Sequence, residues 1–128
     1  MSYKKLKVWQ KAMALAKNVY EWTRSFPKEE IYGLVSQMRR AAVSVASNIA
    51  EGSQRTTDKD FANFILTSRG SLAELEIQTI IAIDECAGAK DHPLSKEIPL
   101  CIDELSRMLH AFHVTLTAHS SKLKASSL

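Results

Sequence analysis

The segment Ser36-Gln37-Met38-Arg39-Arg40-Ala41-Ala42-Val43-Ser44-Val45-Ala46-Ser47-Asn48-Ile49-Ala50-Glu51-Gly52 constrains the fold more than any other part of the chain. At helical spacing, Val35, Met38, Ala42, Val45 and Ile49 form an apolar seam. Gln37, Arg40, Ser44, Ser47 and Glu51 form a polar seam beside it, and Ala41, Ala46 and Ala50 fill much of the remaining circumference. A helix with so little ordinary solvated face is expected to be covered on most sides. A half-buried polar stripe then needs a partner for each of its groups. The pattern points to an assembly of helices, not to a reaction.

The flanking segments repeat the theme. Helix 1, about 7–24, carries Val8, Ala12, Leu15, Val19, Trp22 and Phe26 in alternating steps of four and three, with Trp9, Met13, Ala16 and Tyr20 as a second seam. Pro27 and Lys28-Glu29-Glu30 end it, and Gly33 falls near the start of helix 2, about 34–51. Gly52 is expected as a left-handed C-terminal cap. Thr57-Asp58-Lys59-Asp60 reads as a capping box opening helix 3, about 58–87. There Phe61, Ile65, Leu72 and Leu75 share one seam, while Leu66, Gly70, Ala73, Ile77 and Ile80 share another. Gly70 in mid-helix costs about 1 kcal/mol relative to Ala, which suggests close approach by a neighbouring backbone. Thr67, Ser71, Glu74 and Gln78 form a polar stripe. Helix 4, about 97–118, keeps the rhythm through Ile98, Cys101, Leu105, Met108 and Phe112, and the polar tail 120–128 is expected to fray. Four amphipathic helices with short connections predict one all-α domain over 1–128, an antiparallel up-down-up-down four-helix bundle.

Composition narrows the function. At 128 residues, with 45% hydrophobic and 24% charged, the chain matches one ordered domain. Its net charge of +3 permits nucleic-acid binding without demanding it. No apolar run approaches the ~20 residues of a membrane span, and the N-terminus lacks a signal-peptide core. A cytoplasmic protein with no membrane contact is expected. Cys86 and Cys101 sit in apolar helical patterns as small hydrophobes. The isolated glycines form no phosphate-cradling loop, and neither G-x-S-x-G nor C-x-x-C occurs. His110 and His113 share a helix face but lack matching inward carboxylates, so surface histidines are the better reading than metal ligands. Glu74 is expected to be buried in a salt bridge or hydrogen bond with Arg39 or Arg40, within or between subunits, with general acid–base work as the minor alternative. No catalytic residue, metal or cofactor is expected.

Lys4, Lys5, Lys7 and Lys11 gather at the start of helix 1, where cations oppose the helix dipole. Contact with phosphates would explain them, and so would solvated charge screened by salt. Arg55 could extend that surface. No aromatic alternates with these residues as stacking on single strands would require.

Val8-Trp9-Gln10-Lys11-Ala12 and Phe26-Pro27-x-Glu29 resemble the opening of the 23S rRNA intervening-sequence protein family. Tyr32-Gly33-Leu34, the run from Ser36 to Gly52, Phe61, Phe64 and Gly70-Ser71-Leu72-Ala73-Glu74-Leu75-Glu76 continue the likeness over about residues 6–118. Val45-Ala46 stands where an Ile-Pro pair is common, so a proline kink in helix 2 should be absent. The resemblance implies a four-helix bundle that associates as a ring-shaped homopentamer, with an RNA or ribosomal role inferred from where some members are encoded. One seam of each helix would then face the bundle and the other a neighbouring subunit.

Two functional readings follow. The first is a non-enzymatic, homo-oligomeric accessory protein that meets rRNA or other nucleic acid through Lys4, Lys5, Lys7, Lys11 and Arg55. In it, Gln37, Arg39, Arg40, Ser44, Asn48, Glu51, Ser71 and Glu74 hold the helix architecture or the subunit interface. The second is a scaffold that docks a protein partner, such as a polymerase-type enzyme, without touching nucleic acid.

Overall fold

The structure is a computed structural model that describes residues 2–126, with side-chain environments through His119. Its long helices are α1 (Lys7–Thr23), α2 (Ser36–Ser53), α3 (Asp58–Glu85) and α4 (Leu94–Ser126), and no strand occurs among the described residues. Each helix packs chiefly on two others: α1 and α3 both contact α2 and α4.

In α1, α2 and α3 the first seams supply the core, whereas in α4 Ile102 and Leu109 join Ile98 and Leu105 there and Cys101, Met108 and Phe112 are only partly buried. Val8, Ala12, Leu15, Val19 and Trp22 of α1 are buried against Met38, Ala42, Val45 and Ile49 of α2, Ile65, Leu72 and Leu75 of α3, and Ile98, Ile102, Leu105 and Leu109 of α4. Trp22 is fully buried, and its indole Nε1 donates to the carbonyl of Ala89 at 3.0 Å. That bond satisfies the ring's polar edge and fastens the end of α1 to the connection between α3 and α4.

Local chemistry sets the helix ends. Thr57 caps α3 as expected: its hydroxyl accepts from the Asp60 N–H at 3.1 Å. Ahead of α2, the chain makes a wide π turn at Ile31–Val35, broken by non-helical backbone at Gly33, so regular α-helix begins at Ser36 rather than at 34. α4 opens at Leu94, ahead of the expected 97. Pro99 is accommodated inside it, because its missing amide forfeits only the bond to the Ser95 carbonyl. α4 extends through Ser126, and residues 127–128 of the expected frayed tail lie outside the described part.

Two glycines exchange their expected roles. Gly52 is not a left-handed cap: it lies inside α2, and the left-handed glycine is Gly88, at φ 77° after α3. A Cβ on Gly52 would stand 2.6 Å from Phe64 Cβ and 2.8 Å from Phe61 Cδ1, so α2 meets α3 there closer than any other residue permits. Gly70, the expected point of close approach, has open space where its Cβ would be. Nearby, Ser68 Oγ donates to the Val45 carbonyl at 2.8 Å, and the hydroxyls of Ser44 and Ser71 bond at 2.8 Å. These contacts pair later residues of α2 with earlier residues of α3.

Gly52→Ala should lower stability by about 1–3 kcal/mol, the usual range for overpacking a close contact. Urea denaturation checks this; an unchanged midpoint would contradict the close approach.

Candidate nucleic-acid interface

The lysines at the start of α1 are held on a folded ledge. Residues Tyr3–Lys5 form a 3-10 turn whose first free amide, that of Lys4, donates to Ser2 Oγ at 3.2 Å. The Tyr3 ring packs edge-on against Trp9 at 5.1 Å, and Gln10 Nε2 donates to the Lys4 carbonyl at 2.9 Å. Lys4, Lys5 and Lys7 are exposed there, with no carboxylate partner among the described residues.

The other two proposed phosphate contacts are engaged. Lys11 Nζ lies 2.6 Å from Glu104 Oε2, and that hydrogen bond raises its pKa despite the opposing effect of partial burial. Arg55 reaches Glu51 at 3.5 Å and stacks 4.7 Å over the Phe64 ring. A phosphate approaching either one must compete with a carboxylate already in place.

The polar residues of α2 divide into two sets. Arg39 Nε donates to Thr23 Oγ1 at 2.9 Å, its Nη2 donates to the Tyr20 carbonyl at 3.3 Å, and its guanidinium sits 4.6 Å above the Tyr20 ring. Asn48 Nδ2 donates to the Ser44 carbonyl at 2.9 Å and to Ser44 Oγ at 3.1 Å, completing a chain to Ser71. Gln37, Arg40, Ser47 and Glu51 are exposed instead, so one chain alone leaves much of this stripe in solvent. Within one chain Glu74 is exposed, and its partner is Gln78 Nε2 at 3.3 Å, neither Arg39 nor Arg40, which corrects the expected pairing inside a subunit.

The second seams remain open. Trp9, Met13, Ala16 and Tyr20 of α1 and Val43, Ala46 and Ala50 of α2 line a groove of about 550 Å³, with Lys17 and Arg24 as the charged residues of its wall. On α3, Leu66, Ile77, Ile80 and Ile81 are each about half exposed and form a ridge through Gly70 and Ala73. Scattered apolar residues need no explanation, but a continuous apolar stripe marks a binding surface.

Sequence reasoning did not bring together Arg24, Lys28, Arg39 and Arg40 with Tyr20 and Tyr32. The structure places them around a cleft of about 760 Å³. The available signal was the cluster of cations on both sides of the Pro27 turn, which linear spacing spreads over two helices and a connector.

Among the described residues no group of three or more His, Cys, Asp or Glu side chains could hold a metal ion. His110 is exposed and His113 half-buried. No described helix is long and apolar enough to cross a membrane. Burial is the main cause that raises the pKa of both thiols, Cys86 and Cys101. At Cys86 the carboxylates of Glu30 and Glu85 add to it, and at Cys101 Lys11 opposes it.

Four long helices around a single apolar core define an all-α protein. The chain belongs to the 23S rRNA-intervening sequence protein family, whose profile matches residues 4–111. No individual curated protein matches it significantly.

The raised thiol pKa values have a kinetic consequence. At pH 7.5 alkylation of Cys86 and Cys101 by iodoacetamide should run slower than that of a free cysteine, and should keep rising with pH after a free thiol has levelled off. Labelling of Cys86 as fast as a free cysteine at pH 7.5, read by mass spectrometry of peptides, would contradict its burial.

Proposed function

We propose that the protein is a non-enzymatic, RNA-associated accessory protein, a bundle of alternating up-down helices that assembles with copies of itself as a ring-shaped homopentamer. The observation that carries the assembly is the pair of uncovered apolar surfaces, the ridge on α3 and the groove between α1 and α2. The ridge from Leu66 to Ile81 is about 22 Å long at 1.5 Å per residue, comparable with the groove between α1 and α2. Glu74 and Asp84 flank the ridge, while the groove wall carries Lys17 and Arg24. A ridge on one side and a groove on the other fit a head-to-tail contact, which closes into a ring when the rotation allows.

Family membership supports the association with rRNA, and the ledge of Lys4, Lys5 and Lys7 supplies charges suited to phosphates. Phosphate contacts of this kind give affinity without base discrimination. Lys11 and Arg55, already paired, contribute less. A scaffold that docks a protein partner is the alternative, and the same ridge would then be its docking face. A cytoplasmic location goes with either reading.

The test is fluorescence anisotropy of a structured rRNA fragment titrated with nuclease-treated protein across a salt series. Changing Lys4, Lys5 and Lys7 to Glu should weaken binding at least about tenfold and flatten the salt dependence by roughly one phosphate contact per lysine removed. Lys11→Glu should have a smaller effect. Unchanged affinity in the triple variant would remove the ledge from the RNA contact, and no binding by the wild type would favour the protein scaffold.

A further inference from the structure

At the far end of α1 from the lysine ledge, the chain builds a second basic surface. The cleft between the end of α1, the Pro27 turn and the first turns of α2 has a volume of about 760 Å³. Arg24, Lys28, Arg39 and Arg40 stand in its wall, and no carboxylate does. Arg24, Lys28 and Arg40 are exposed and make no ion pair with a described carboxylate. Arg39 is different. Held by Thr23 Oγ1 at 2.9 Å and the Tyr20 carbonyl at 3.3 Å, and stacked on the Tyr20 ring, it is a fixed cation rather than a mobile one.

Aromatic surface lies among these charges. Tyr32 is 97% exposed, on the wide turn that precedes α2, although a tyrosine ring normally gains by packing. Nothing in the bundle covers it, and the broken backbone at Gly33 is what turns it outward from α2. Tyr20, with Arg39 above its ring, forms the other side. A concave site with several cations, no anions and an open ring suits a ligand that combines anionic charge with a flat π face. A phosphate alone would leave Tyr32 unused, and an acidic peptide would leave it without a stacking partner.

We propose that this cleft holds a phosphorylated nucleoside unit of single-stranded RNA, its base stacked on Tyr32 and its phosphates met by Lys28 and Arg40. Base–aromatic stacking is tolerant of sequence, so the site takes a strand with little base preference. Duplex RNA cannot enter in this way, because its bases are already stacked on one another. The cleft is about 25 Å along α1 from Lys7, so the two surfaces can engage different parts of one RNA. This assignment rests on the RNA-associated reading above but not on the lysine ledge; it adds a strand-selective site to a surface that selects only charge.

The experiment uses the full-length protein with a labelled uridine hexamer at 150 mM salt, where purely electrostatic contacts are weakened. Tyr32→Ala should reduce hexamer affinity about tenfold, and Arg40→Glu at least as much. Both side chains are exposed, so folding is not at stake. The glutamate variant of Lys4, Lys5 and Lys7 should keep hexamer binding while losing the structured fragment, which separates failure of this site from failure of the ledge. AMP and inorganic phosphate are the competitors: displacement by AMP but not by phosphate supports the nucleotide chemistry and points to a free nucleotide, and resistance to both supports a strand. Displacement by phosphate as effective as by AMP would overturn the stacking role. Equal hexamer affinity for wild type, Tyr32→Ala and Arg40→Glu would overturn the proposal. So would a fall in assembly mass in those variants, which would assign the cleft to contact with another subunit.

Discussion

The bundle depends on how closely α2 approaches α3. At Gly52 there is no room for a Cβ beside Phe61 and Phe64, and toward the other end Ser68 and Ser71 bond directly to α2 through the Val45 carbonyl and Ser44. Small residues let the two helices come within reach of these bonds, and each bond satisfies a group that the approach removes from water. Phe61 then turns its free edge to Phe112 of α4 at 5.2 Å, carrying the packing on to the fourth helix. Trp22 secures the opposite end through Ala89.

This packing consumes one seam of each helix and leaves the others outside. The uncovered ridge of α3 and the groove between α1 and α2 follow from having too many apolar residues for a four-helix core. The same arithmetic makes the exposed half of the α2 stripe intelligible. Gln37, Arg40, Ser47 and Glu51 are solvated in one chain, yet they border surfaces suited to a neighbour. In the proposed ring, binding chemistry belongs to the ends of the bundle, with charge on the ledge of Lys4, Lys5 and Lys7 and charge plus aromatic surface in the cleft beside Tyr32.

Much of the fold was legible in the sequence because periodicity reports burial directly. The core seams of α1 and α2, the Thr57 cap and the placement of the connections follow from residue spacing. Glycine function was not legible. Gly52 and Gly70 both interrupt helical patterns, and only the geometry of α3 decides which one a neighbour approaches. Ion pairing was not legible. Arg55, assigned to phosphate, pairs with Glu51 four residues back, and the pairing of Lys11 with Glu104 crosses 93 positions and has no local signature. The stripe of Glu74 is continuous in sequence, but within one chain Gln78 is buried, Ser71 bonds to Ser44 of α2 and Glu74 stays exposed, which spacing alone does not separate. The basic cleft was hidden because its aromatic and cationic parts meet only when the turn after Pro27 folds back beside α1.

The most direct test of the account is the mass of the purified protein in solution, measured by light scattering over a dilution series. The account predicts about five times the 14.3 kDa of one chain, and a fall toward the single-chain mass when Ile77 on the open ridge is changed to Glu. A wild-type protein that stays at 14.3 kDa at every concentration would contradict it, because the ridge and groove would then have no partner in a second copy.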